Sequence, residues 1–173
     1  MKRAFLFCLA ISCFLSACEN ENRNVALLPQ NTVVIGLSSD FDTLLELGTA
    51  NSDALHVIEE MLFLTLNKLD ENLTFQPNLA TSWRKSADGT MLEFTLRDDV
   101  YWSDGQPTTA EDVLFSYQLA VHPETGYAAR NRFARVDSVI VSDRYTVQFL
   151  FEAAYPDAQF DMQIPILPKH LLQ

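Results

Sequence analysis

The stretch from Met91 to Arg97 alternates strictly: Leu92, Phe94 and Leu96 oppose Glu93, Thr95 and Arg97, and Asp88-Gly89 stands just ahead of it. A side-chain period of two puts the apolar set on one face, so this is a half-buried strand entered from an Asp-Gly turn. Val136 to Val141 and Tyr145 to Phe151, joined by Ser142-Asp143-Arg144, read as a second hairpin. Between the two, Thr108 to Val121 reads as a helix. Thr108-Thr109-Ala110-Glu111 fits a capping box, with Glu111 reaching back to the cap. Val113, Phe115, Tyr117 and Val121 spread over a broad apolar arc. Locally paired strands with helices between them predict an α/β chain of the mixed, α+β kind.

The remaining segments are shorter. Thr32 to Leu37 is a β-branched run that predicts a buried strand leading into a loop at Ser38-Ser39-Asp40. From Ser52 to Leu66 the spacing is helical, with Leu55, Ile58, Leu62 and Leu66 on one face, Ser52 as N-cap and Asp53 favouring the dipole. Leu73 to Trp83 is irregular and broken by Pro77, and Asp104-Gly105 marks a further turn. Beyond Phe151, Pro156, Pro165 and Pro168 interrupt the chain, and Pro168 to Leu172 looks like the start of a helix.

The first 17 residues predict a signal peptide: Lys2 and Arg3, then an uncharged, mostly apolar run from Ala4 to Ala17. That run is shorter than the ~20 residues a membrane-spanning helix needs. It ends in Leu15-Ser16-Ala17-Cys18, which resembles a bacterial lipobox and implies lipidation at Cys18. The alternative is an ordinary signal peptide cut near Ala17. The three cysteines are Cys8, Cys13 and Cys18, so only Cys18 would survive processing, unpaired, and acylation would explain it. Residues 18–31 then read as the lipidated Cys and a polar tether, and 32–173 as the folded domain. The expected location is the periplasm or cell surface, lipid-anchored to a membrane. Glu19 behind the Cys leaves outer-membrane sorting open. A net charge of −11 argues against nucleic acid as a partner, because phosphate binding needs clustered Lys and Arg.

The sequence offers little to a catalyst. Asp104-Gly105 and Glu111 match the second half of a calcium loop, but Val100 and Trp102 would occupy its first and third positions without a side-chain oxygen. His56, His122 and His170 are far apart, which disfavours zinc. There is no G-x-S-x-G, no phosphate-binding glycine loop and no cysteine nucleophile beyond the leader. Adjacent acids such as Glu59-Glu60, Asp98-Asp99 and Glu111-Asp112 read as solvated or capping groups. The expectation is a non-enzyme with no catalytic residue, no metal site and no cofactor. Trp83, Phe94, Tyr101, Trp102, Phe115 and Tyr117 read as core in preference to a ligand platform.

From Leu79 to Tyr117 the chain reads LATSWRKSADGTMLEFTLRDDVYWSDGQPTTAEDVLFSY. This resembles the bacterial extracellular solute-binding proteins of family 5, which serve ABC importers of oligopeptides, dipeptides and nickel. The matching residues are Leu79, Ala80, Ser82 and Trp83; Ser86, Asp88 and Gly89; Phe94, Leu96 and Arg97; and Val100, Trp102, Asp104, Gly105, Pro107, Thr109, Ala110, Asp112, Val113, Phe115 and Ser116. Tyr155-Pro156 and the segment from Ile166 to His170 resemble later parts of the same pattern. The resemblance implies part of lobe I of a type II periplasmic-binding-protein fold, with its inserted subdomain. It also implies an ABC permease as partner, a membrane reached through the lipid anchor, and a peptide or related small solute. Nickel chelate, oligosaccharide or opine remain alternative solutes, and a truncated lipoprotein without a transport role is a further alternative. Thr43-Leu44-Leu45-Glu46 departs from the family's T-L-D-P near the cleft. Family members are far longer, so an incomplete lobe I is expected, binding weakly or not at all by itself. Ser39, Asp40 and Phe41, at the end of the first strand, are the candidate ligand neighbours, since loops at strand ends line clefts in such architectures.

Overall fold

The computed structural model describes Gly36, Asp40, Asp42, Thr43, Thr49 and residues 51–173. Apart from Gly36 these belong to one compact unit spanning residues 37–173. The expected signal peptide, tether and first strand fall outside the described residues, Gly36 excepted.

Helix α1 (Ser52–Val57) is capped by Asn51, not Ser52: the Asn51 side-chain oxygen accepts from the amides of Asp53 and Ala54 at 2.9 and 3.1 Å. Two otherwise orphaned donors are thereby satisfied. The helix is also shorter than its spacing predicts. It widens into a π turn, Ile58–Leu62, closed by Phe63 N–H donating to Ile58 C=O at 3.1 Å. That wider turn rotates the apolar stripe, so Ile58 is buried while Leu62 is 47% exposed. Leu66 is buried too, but on the extended segment that follows.

The irregular region beyond it is a hairpin, β1 (Asn67–Leu69) with β2 (Phe75–Pro77). Its signal was weak because each strand has three residues and the loop between carries no Gly or Pro. Next come β3 (Ala80–Lys85), β4 (Met91–Leu96), α2 (Ala110–Val121), β5 (Val136–Asp143) and β6 (Thr146–Phe151). The strands form one antiparallel sheet in the order β3-β4-β6-β5.

Both expected hairpins are present. At the first turn Gly89 has φ 73°, and a Cβ there would lie 3.3 Å from the Ala154 Cβ. Only glycine combines that backbone with that approach. The Asp88 carboxylate accepts from the Ser86 hydroxyl and from the amide and hydroxyl of Thr90, which holds its pKa below the usual value.

Leu92, Phe94 and Leu96 of β4 and Val147, Phe149 and Phe151 of β6 are buried and make one apolar face. Phe94 meets Phe149 edge-on at 5.9 Å, and Tyr117 of α2 meets Phe149 at 6.1 Å. The opposite face is polar: Glu93 accepts from Gln148 at 2.6 Å and from Arg84 at 2.8 Å, which lowers its pKa. The aromatics are mostly core, as expected, but Tyr101 is 61% exposed.

The cap of α2 is one residue later than the sequence suggests. Thr109 is the N-cap and Asp112, not Glu111, closes the box. Glu111 is exposed and pairs with Lys169 at 2.9 Å. The Asp112 side chain faces inward because its second oxygen accepts the Lys169 amide at 2.9 Å. One turn on, the Ser116 hydroxyl donates to Asp112 C=O at 2.7 Å and accepts from the Leu167 amide at 2.8 Å. His170 reaches back to Asp104 at 2.6 Å. These contacts bind the final segment, with its short helices α3 (Ala158–Asp161) and α4 (Lys169–Leu172), onto α2 and the Asp104-Gly105 turn.

Candidate functional site

A groove of about 980 Å³ opens between the end of the π turn, the β1–β2 hairpin and the segment around α3. Met61 and Leu62 of the π turn and Leu64 just beyond it, all exposed, lie in its lining. Phe160 and Gln163 line it as well. The Arg132 guanidinium lies 6.0 Å from the Phe160 ring centre, so one cation borders the apolar wall. Burial raises the pKa of the neighbouring Asp161, against the pull of Arg132 and Arg135.

Asn67 also lines the groove, and it is fully buried. Its side-chain oxygen accepts from Gln163 Nε2 at 3.0 Å, while its amide nitrogen has no hydrogen-bond partner. An unpaired buried donor costs roughly 1–3 kcal/mol. Glu59, Lys68, Asp70 and Glu71 bring charge to the rim. Asp70 is engaged: its carboxylate accepts from the amides of Asn72 and Thr74 and from Gln76, which lowers its pKa.

This arrangement suits binding. It offers apolar walls, amide groups for orientation and a few charges. Among the described residues no group of three or more His, Cys, Asp or Glu side chains is placed to hold a metal ion. The half calcium loop is accounted for otherwise: Asp104 accepts from the Gln106 amide and from His170, both lowering its pKa, and Glu111 serves Lys169.

Of the residues expected to neighbour a ligand, Ser39 and Phe41 lie outside the described residues, as does Cys18. Asp40 is exposed, and its C=O accepts from the Asn51 side chain at 3.1 Å, tying that loop to the cap of α1. The groove residues were not anticipated. The one available hint was Asn67, an amide side chain directly beside Leu66 in LTLNKL.

Residues 74–172, more than half of the chain, match the model of the bacterial extracellular solute-binding proteins, family 5 Middle. Protein XP55 of Streptomyces lividans is 34% identical over 150 residues, covering 81% of this chain and 25% of that protein. The oligopeptide-binding protein AppA of Bacillus subtilis is 30% identical, over 99% of this chain and 33% of its own length. Among solved structures, NikZ of Campylobacter jejuni in complex with Ni(L-His) superposes with a TM-score of 0.74 at 32% identity, covering 84% of this chain and 29% of that one. The chain therefore spans about a quarter to a third of the length of these relatives.

Proposed function

Because the chain belongs to the bacterial extracellular solute-binding proteins of family 5, we propose that it forms part of the substrate-binding component of an ABC importer. Members of this family are solute-binding proteins, and relatives act in the periplasm. The solute is a peptide or a related small molecule. The observation that carries this reading is the family match across the β-sheet, α2 and the closing segment, joined to a groove with apolar side chains and a charged rim. The polypeptide of residues 32–173 is one part of a two-lobed binder, with Ser39, Asp40 and Phe41 beside the solute. Cys18 carries the lipid that holds the protein to the membrane surface, beside its permease.

Deleting the gene and following uptake of a radiolabelled tripeptide tests the transport reading. Uptake should fall by at least severalfold, and unchanged uptake of every di- to pentapeptide tried would refute a peptide importer. Labelled palmitate should enter the wild-type protein but not a Cys18→Ser variant. The similarity to NikZ in complex with Ni(L-His) favours a second reading, a nickel chelate in which the metal arrives with its own histidine. Nickel accumulation measured in the same deletion strain separates the two.

A further inference from the structure

Asn72-Leu73-Thr74 is the one Asn-x-Ser/Thr triplet in the 173 residues, and no proline stands inside it or directly behind it. The pattern marks an acceptor for an N-linked glycan where it lies on the surface of an exported protein. Such triplets also arise by chance, so placement decides. This one falls at the tip of the β1–β2 hairpin, with Asn72, Leu73 and Thr74 all exposed. Leu73 has φ 58°, in the left-handed region, so the chain reverses between the asparagine and the threonine.

The turn holds both residues by their main chains. The amides of Asn72 and Thr74 donate to the Asp70 carboxylate at 2.9 Å each, and Thr74 C=O accepts from Asp70 N–H at 3.0 Å. The Asn72 carboxamide and the Thr74 hydroxyl, the two groups the triplet is recognised by, have no hydrogen-bond partner among the described residues. An enzyme that takes them breaks no side-chain contact of the fold. The hairpin is also a two-stranded sheet of its own, three residues to a strand, apart from the four-stranded sheet. So short a pair opens locally at small cost, which lets the tip enter an enzyme cleft while the core stays folded.

We infer that Asn72 is an acceptor for an N-linked glycan, transferred from a polyprenyl-diphosphate-linked oligosaccharide by a membrane oligosaccharyltransferase. Asn72 Nδ2 attacks C1 of the first sugar. The N–C1 bond forms, the C1–O bond to the diphosphate breaks, the diphosphate leaves with the electron pair, and the amide proton passes to solvent. Because Asn72 belongs to the groove lining, the glycan stands at the rim of the groove. The inference rests on the export reading above. Its test expresses the full chain in a bacterial host that carries an oligosaccharyltransferase, an undecaprenyl-diphosphate-linked oligosaccharide of known mass and an exported control acceptor. Intact mass should rise by one glycan in the wild type and in Thr74→Ser, and should not rise in Asn72→Gln or Thr74→Ala. All three variants should melt with the wild type, because neither side chain is engaged. A chain in the cell envelope that carries no glycan, in cells that modify the control, overturns the acceptor alone. So does a glycan that persists in Asn72→Gln. A chain retained in the cytoplasm overturns the export reading and the acceptor together.

Discussion

Replacing Ser116 by alanine should destabilise the fold by about 2 kcal/mol, within the roughly 1–3 kcal/mol expected when a buried donor loses its acceptor. The Ser116 hydroxyl is the acceptor for the Leu167 amide at 2.8 Å, and both residues are 1% exposed. Alanine fits the space but leaves that amide facing apolar side chains, where water does not reach. The hydroxyl's own donation to Asp112 C=O is lost as well, though that carbonyl is a helix acceptor and is left less exposed to penalty. In urea, with a slope of about 2 kcal/mol/M for a domain of this size, the midpoint should fall by about 1 M at unchanged slope. Ser142→Ala, an exposed change on β5, serves as control and should stay within about 0.5 kcal/mol. Hydrogen exchange adds a local readout, in which the Leu167 amide loses protection beyond the global fall. A Ser116→Ala protein as stable as the control would show that the closing segment is not held through this hydroxyl.

Gly89→Ala should cost more than Gly105→Ala. Both have positive φ, worth about 1–2 kcal/mol for a residue with a Cβ, but only Gly89 also meets Ala154, whereas Gly105 faces open space; equal melting temperatures would contradict this. Asp88 has its pKa lowered by its Ser86 and Thr90 hydrogen bonds. Its contribution is therefore present above the unfolded carboxylate value of about 4 and disappears as pH falls through the lower folded value. Asp88→Asn should flatten the acid limb of the stability curve below that pH and leave it parallel to wild type above, as followed by circular dichroism. Asn67→Leu removes the unpartnered amide nitrogen but also the acceptor of Gln163 Nε2, so the two effects should offset and stability should stay within about 1 kcal/mol of wild type in urea unfolding; a larger loss would show that the Gln163 bond outweighs the unpaired donor.

The legible parts of the sequence were those in which one local rule sufficed. The alternation in β4 and β6 and the Asp-Gly turns needed no distant partner to be read, and they are where they were expected. The capping box was found one residue out of place, because Glu111 and Asp112 both suit it locally. Only the arrival of the Lys169 amide, 57 positions away, favours the aspartate. The spacing predicts Leu66 on a helix; the π turn that ends the helix earlier leaves no mark in an apolar periodicity. The β1–β2 hairpin leaves little trace in the sequence because Leu73 occupies the left-handed position where a glycine would announce the turn.

The sequence by itself determined the family and the strands β4, β5 and β6, since these rest on residue type and spacing along a short window. Tertiary structure alone decided the groove and the anchorage of the closing segment. Asn67 meets Gln163, 96 positions away, and Ser116 meets Leu167 across 51. Contacts of that separation are fixed by how the sheet, the hairpin and α2 pack, and neighbouring residues carry no local energy that would reveal them.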